Sequence, residues 1–452
     1  MSHAPTRGRL LFLLCLINFL RLLSPANAGA QSQPPTSYAL THAKIFTLAG
    51  SAIEDGTLII HEGKIAAVGV GLDIPADAQV IDATGLQVYP GFFDSITQMG
   101  LREIGAVSAT VDSTETGSYN PDVVAATAVS ASSEHIPVTR AAGITEVLAV
   151  PGSGGFDSAG AGGVIGGQAS AIHLAGWTID EMLIKKSAAM VLNWPEIETR
   201  TFDFATFSRK EKPYSEAKLE YDKQVNEITD WLERARHYAQ ALEKGSVAKY
   251  DRDLKLEALT PVIRGELPLL VFADRSREIR AAVEFCDKQR LRMVLAGGSE
   301  AYKVKDLLRS KGVPVILRPV LTLPLDEDDP YDRLLSQPAE LAAAGVKFAF
   351  ASFDNSFARR LGQNAANAVA YGLPYEEALK AVTLYPAHIF GLDEQIGTLE
   401  QGKLANVIVT NGDPLELTTD VKYLFIRGQL TSLDNRHLHL YEKYAKRPKS
   451  AK

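Results

Sequence analysis

Two absences bound what this 452-residue chain can be. It has only two cysteines, Cys15 and Cys286. Cys15 sits in an N-terminal segment with the marks of a cleaved leader, so a mature chain keeps Cys286 alone and can form no intramolecular disulfide. An excess of positive charge is also missing: 47 Lys and Arg face 54 Asp and Glu, a net charge of −7. That balance argues against a nucleic-acid-binding role. The remainder, 46% hydrophobic and 22% charged, is ordinary for a soluble globular protein. It is long enough for one large domain and a smaller one, and suggests neither disorder nor a membrane bundle.

At the N-terminus, Arg7 and Arg9 precede the apolar run "LLFLLCLINFLRLL", and "SPANAGAQ" follows with small residues at Ala26 and Ala28. Basic, apolar and small-residue regions in that order describe a secretory signal peptide over residues 1–28, with cleavage after Ala28 and Ala30 as the next choice. Arg21 interrupts the run short of the ~20 apolar residues of a membrane span. Leu14 before Cys15 speaks against lipid attachment there. Cleavage would remove three arginines and no acid, leaving 44 basic against 54 acidic side chains and a net charge of −10. The expected location is periplasmic or secreted, with no stable membrane span. Stability must then come from a large core.

After a polar linker (29–37), residues 38–89 alternate short β-type runs with turns, as in "GTLIIHEGKIAAVG", and predict antiparallel hairpins. From residue 90 the rhythm changes. Continuous apolar runs ("GITEVLAVP", "LPLLVFAD", "RMVLAGG", "VPVILRPV", "VKFAFASFD") alternate with helical stretches, which predicts a parallel sheet covered on both faces. The number of units fits an eight-stranded (β/α) barrel over 90–395, with its third and fourth strands within 164–195. Residues 214–244 place Leu219, Val225, Ile228, Leu232, Ala235, Tyr238 and Leu242 near a 3.6-residue period, and predict a long amphipathic helix stopped at Gly245. Residues 396–431 return to hairpin-like strands and predict a β domain built from both chain ends. Residues 432–452 form a tail, in which His437 and His439 would share one face if the segment were a strand.

Five ordered segments, "GTLIIHEGKIAAVG", "DATGLQVYPGFFD", "GITEV", "AVTLYPAHIFGL" and "IGTLEQGKLANVIV", together resemble the amidohydrolase superfamily, near its exported imidazolonepropionase-like branch. The resemblance covers nearly all of residues 38–430. It implies an α/β fold, a (β/α)8 TIM-type barrel inserted in a small β-sandwich. It also implies one or two divalent metals at the C-terminal strand ends, held mostly by histidine. Such a metal lowers the pKa of bound water from ~15.7 toward ~7 and so supplies hydroxide for attack on a non-peptide C–N bond.

The ligand positions depart from that pattern. The first strand should read Asp-x-His-x-His. Here Asp94 is kept, but Ile96 and Gln98 replace the imidazoles; Ile96 has no lone pair, and Gln98 is a weak neutral oxygen donor. Phe272 stands where "LPLLVFADR" should offer a histidine, and Gly297 and Gly298 stand where "RMVLAGGSEA" should offer His-Gly. Lys185 and Lys186 precede "SAAMVLNW" and belong at the N-terminal rim, away from a bridging role. Asp354, after the eighth strand, matches the family's catalytic aspartate and is equally a helix N-cap.

The candidate site is therefore Asp354 as the catalytic residue, with Gln98, Asp274 and Glu300 as substrate-binding residues and no assigned metal ligand. Asp274, Glu300, Asp328 and Asp329 fall in loops after barrel strands, where oxygen-only ligation would favour Mg²⁺, Mn²⁺ or Ca²⁺ over zinc. The rival reading is solvated loop acids and caps, and it is the stronger one for "LDEDDPYD". His173 reads as hydrogen-bonded core, and His135 and His388 as helical. The glycine-rich stretch 151–168 reads as a lid or a plain surface loop.

Two functions follow: a hydrolase of non-peptide C–N bonds with a reduced metal site, or a non-catalytic barrel binding a small ligand or an envelope partner. A small-molecule partner is expected and a homo-oligomer is allowed; nucleic acid is not expected. The cofactor implied by the resemblance is a divalent metal whose ligands are largely missing.

Overall fold

The computed structural model describes residues 37–152, 162–203, 207–248 and 251–447. The expected leader, the linker before Ser37, and residues 153–161 of the expected lid lie outside the described residues. The remainder of that stretch runs straight into a strand.

Five strands open the chain: β1 (Ser37–Ile45), β2 (Ile53–His61), β3 (Lys64–Gly69), β4 (Gln79–Asp82) and β5 (Gln87–Pro90). The two residues between β2 and β3, Glu62 and Gly63, both have positive φ, 47° and 83°. That is the twist-matched two-residue hairpin turn, and glycine at its second position carries it without steric cost. β1 pairs antiparallel with β2 and parallel with β4 and β5.

The barrel follows: β6 (Phe92–Thr97), β7 (Ile144–Ala149), β8 (Ile165–His173), β9 (Leu183–Asn193), a two-stranded excursion β10 (Arg200–Asp203) and β11 (Ser208–Glu211), then β12 (Leu269–Ala273), β13 (Met293–Gly297), β14 (Val315–Leu317) and β15 (Phe348–Phe350). Eight of these, β6 to β9 and β12 to β15, form one continuous sheet in chain order. Its two ends meet where the Phe353 N–H donates to the Ile96 carbonyl at 2.9 Å.

One strand breaks the expected all-parallel order. β8 is antiparallel to both β7 and β9, whereas the other neighbours are parallel. A parallel neighbour needs a crossover, usually a helix. Among the described residues no helix lies between Ala149 and Ile165, and only the short helix Ile179–Met182 lies between His173 and Leu183, so the chain turns back instead.

Three strands then return to the first sheet: β16 (Val407–Thr410), β17 (Val421–Ile426) and β18 (Gln429–Leu430). β16 pairs antiparallel with β5, Val407 opposite Pro90 and Thr410 opposite Gln87, so both chain ends share one sheet. Its core holds Leu40, Ile45, Leu58, Ile60, Val407 and Phe425.

The long helix runs over Tyr214–Glu243, with Gly245 just past its end at φ 64°. Ile228, Leu232, Ala235 and Tyr238 are buried as the period requires, but Leu219 is 70% exposed, because at 3.6 residues per turn its position falls on the helix face opposite Ile228 while Ala217 takes the buried one. The tail differs more. Arg436–Ala445 is a helix, capped by the Asn435 side chain, which accepts the His437 and Leu438 N–H groups. His437 and His439 therefore do not share the face that a strand would have given them.

Candidate functional site at the C-terminal rim

Inward-pointing residues of the barrel form an apolar column. Phe93, Ile96, Leu148, Phe272, Ala351 and Phe353 belong to one buried cluster that runs up to the C-terminal ends of the strands. Ile96 is 1% exposed, and Phe272 meets Phe353 edge to face at 6.1 Å between ring centroids. Phe353 takes a left-handed backbone conformation, φ 55°, a rare one for an aromatic residue that the surrounding packing must hold. Gly297 and Gly298 are likewise at positive φ, 97° and 64°. A Cβ on Gly297 would stand 2.8 Å from Asp274 Oδ1, and one on Gly298 3.0 Å from the Val315 side chain. These positions have no room for an imidazole. The donors present do not fit a histidine-held metal: the positions expected to ligate it supply hydrocarbon, glycine and one amide.

Asp94 stays at the seam of the barrel. Its Oδ1 accepts the Ser352 N–H at 2.9 Å and its Oδ2 the Ser352 hydroxyl at 2.5 Å. Burial pushes its carboxyl up to about 7, against the lowering effect of those two hydrogen bonds. Gln98, just past the end of β6, is buried at 4% exposure, and its carbonyl accepts the Leu101 N–H.

Asp354 follows two residues after Ser352. Its Oδ1 accepts the backbone N–H groups of Ser356 and Phe357, a cap for the turn that begins the next helical segment. Its backbone carbonyl accepts the Thr97 hydroxyl at 2.7 Å. Both readings of Asp354 thus meet in one residue, because beside this cap a cavity of about 300 Å³ opens, and Asp354 lines it. Thr322, Ser352, Arg360, Gln363 and Asn364 supply its polar wall, and Pro319, Leu321 and Phe357 its apolar one. The Arg360 guanidinium stacks on the Phe357 ring at 4.7 Å.

Asp274 and Glu300 lie elsewhere on the rim, and both are engaged within the protein. Asp274 accepts from Arg318 Nε and Nη2 and from the Ser299 N–H and hydroxyl. Arg318 also stacks on Phe353 at 4.9 Å, which ties this pair to the apolar column. Glu300 accepts the Ser276 N–H at 2.7 Å and pairs with Lys303 at 2.9 Å. Burial alone would raise its carboxyl, but these partners outweigh burial and hold it below the usual carboxylate range. Glu300, Asp326 and Asp329 do converge, with ligand oxygens within 4.8 Å of one another, whereas Asp274 and Asp328 stay out of that group. Arg275 and Lys303 already offset its charge.

The other candidates sit away from the rim. Lys185 belongs to the first half of β9 and donates to the Phe390 carbonyl at 2.9 Å. The strand therefore begins before the two lysines rather than after them. His173 closes the opposite end of the barrel, buried 3.7 Å from Glu146, whose carboxyl accepts from Thr145 and Asn406. Its Nδ1 has no hydrogen-bond partner, unlike the bonded core histidine that the sequence suggests. Burial, and then Arg427, push its imidazole down to about 3, while burial pushes Glu146 up to about 8.

Comparison with known proteins agrees with this architecture. A profile of the amidohydrolase family matches residues 332–431. The amidohydrolase of Thermotoga maritima MSB8 superposes with a TM-score of 0.73 at 25% identity, over 87% of this chain and 99% of that one. The chain belongs to the amidohydrolase superfamily. Amidohydrolase tasK of Hapsidospora irregularis is 24% identical over 400 residues. That match takes in 82% of this chain but spans only 39% of the length of that relative. Molinate hydrolase, at 15% identity and a TM-score of 0.52 over 93% of this chain and 99% of its own, shares the fold.

Within this superfamily frame, Ser352, Thr322, Arg360, Gln363 and Asn364 are the rim residues that sequence reasoning missed. Ser352 carried a signal, since it lies two residues before Asp354 on the same strand end. The others come from loops and a helix whose approach to Asp354 no local pattern announces.

Proposed function

We propose that this chain binds a small polar molecule in the rim cavity beside Asp354 and does not activate water on a histidine-held metal at the barrel mouth. The observation that carries this reading is the apolar column: Ile96, Phe272 and Phe353 pack together where the superfamily resemblance calls for imidazoles. A carboxylate, a guanidinium, two amides and two hydroxyls around about 300 Å³ suit a small molecule bearing both donors and acceptors, such as an amide or a ring lactam. A thermal-shift screen of amides, lactams and amino acids tests it, with Asp354→Asn as control. Stabilisation by such a molecule that Asp354→Asn removes supports the reading. Hits that survive the substitution place binding elsewhere.

A second reading is favoured by Asp354 itself. Its Oδ2 has no hydrogen bond among the described residues and its side chain borders the cavity. In this reading the chain hydrolyses a non-peptide C–N bond of its ligand, with Asp354 taking the proton of the attacking water. Turnover of such a ligand by the parent that Asp354→Asn abolishes would support hydrolysis. Export remains part of the proposal, resting on residues 1–28, and N-terminal sequencing of the mature protein decides it.

A further inference from the structure

At the opposite end of the barrel lies a second, larger cavity of about 560 Å³. Pro268, Arg292, Pro314 and Lys347 line it, and each stands immediately before β12, β13, β14 or β15, which fixes the cavity at the N-terminal face. It is therefore separate from the rim site and from its proposed chemistry.

Its electrostatics run against those of the whole chain. Arg292, Arg309, Lys311 and Lys347 face one carboxylate, Asp287, in a protein of net charge −7. Asp287 is taken by Lys311 at 2.7 Å. Arg292 donates to the Gly265 carbonyl, which neutralises nothing. Arg309 and Lys347 have no ion pair or side-chain hydrogen bond among the described residues. Arg309 and Lys311 end the helix Lys305–Lys311, where cations offset the negative end of the helix dipole. That accounts for their place on the helix, but not for Arg292 and Lys347, which lie outside it. Beneath the cations the floor is apolar, formed by Cys286, Met293, Leu308, Val313 and Ile389.

Four cations, three of them without an ion-pair partner among the described residues, set above an apolar floor in a cavity of ligand size, suit an anion with an apolar body. We infer that this N-terminal cavity binds a small organic phosphate, with Arg309 and Lys347 holding the phosphate and the floor packing the organic part. Guanidinium and ammonium groups bind phosphate oxygens through charge-assisted hydrogen bonds.

The test is isothermal titration of the full mature chain with phenyl phosphate, and with inorganic phosphate in a second arm. One saturable site for phenyl phosphate is expected, with weaker binding of inorganic phosphate. Affinity should fall roughly tenfold or more in the double variant Arg309→Ala with Lys347→Ala. Lys347→Glu, a charge reversal at an exposed position, should weaken binding while leaving the melting temperature unchanged. Asp354→Asn at the other end should bind phenyl phosphate as the parent does. Absence of saturable binding, binding that both cavity variants leave unchanged, or binding that Asp354→Asn removes would each overturn the proposal.

Discussion

Ser352 and Asp94 join the last and first strands of the barrel: the serine hydroxyl and N–H both donate to the aspartate carboxylate, at 2.5 and 2.9 Å. The aspartate that precedes the metal-binding positions in the superfamily pattern here closes the sheet. This has a pH signature. A carboxyl held near 7 when folded and near its ordinary value when unfolded lets the folded state bind the extra proton. The resulting stabilisation is fully present below the unfolded value and is lost as pH rises through the folded one. Glu146, pushed up to about 8, and Glu278, pushed up to about 7 by burial and then by Glu196, act in the same direction. His173 acts oppositely, because its depressed pKa makes stability fall as pH drops below its unfolded value. The difference between variant and parent isolates Asp94. Asp94→Asn, which can keep both contacts to Ser352, should gain stability relative to the parent between about pH 5 and about pH 8, by on the order of 1 kcal/mol or more. Urea denaturation midpoints at the two pH values check it.

Phe272 should behave as core. Phe272→Ala removes the ring that packs edge-on against Phe353, and truncations of this kind cost about 3–5 kcal/mol. A cost well under about 1 kcal/mol in chemical denaturation would mean that the barrel mouth is not filled as described.

Asp354 separates its two roles by substitution. Asparagine retains an acceptor for the Ser356 and Phe357 N–H groups, so Asp354→Asn should leave stability nearly unchanged. Alanine removes the cap and should cost about 1 kcal/mol. If both variants bind the rim ligand as the parent does, and any turnover of it is likewise unchanged, Asp354 is a cap and nothing more.

Asp274 should prove structural. Its carboxylate holds Arg318 through two hydrogen bonds and Ser299 through two more, and Arg318 in turn lies on Phe353. Asp274→Ala leaves the half-buried guanidinium without its partner and should cost about 2 kcal/mol or more, measured by denaturation. A ligand-contact role would instead show as lost binding at unchanged stability.

The sequence made the barrel and the shared β domain legible, because each is written in local patterns: apolar runs and two-residue turns. The reversal of β8 was not, since Ile165–His173 is as apolar as its parallel neighbours and strand direction depends on the connection. Leu219 is apolar but stands on the helix face opposite Ile228, so its exposure follows from the 3.6-residue geometry. At the site, Asp354 could be placed by its strand, whereas Asp274 and Glu300 were placed at the rim without their partners. An acid in a loop carries no mark of whether a ligand or an arginine such as Arg318 will take it.

The most direct test of the account is metal content. Tag-free protein would be incubated with zinc, manganese and magnesium salts, freed of excess, and read by elemental mass spectrometry. Far less than one equivalent of retained metal is predicted, equally for the parent, Asp94→Asn and Asp354→Ala. Near-stoichiometric metal that Asp354→Ala abolishes would contradict the account and restore a metal-dependent hydrolase at the barrel mouth.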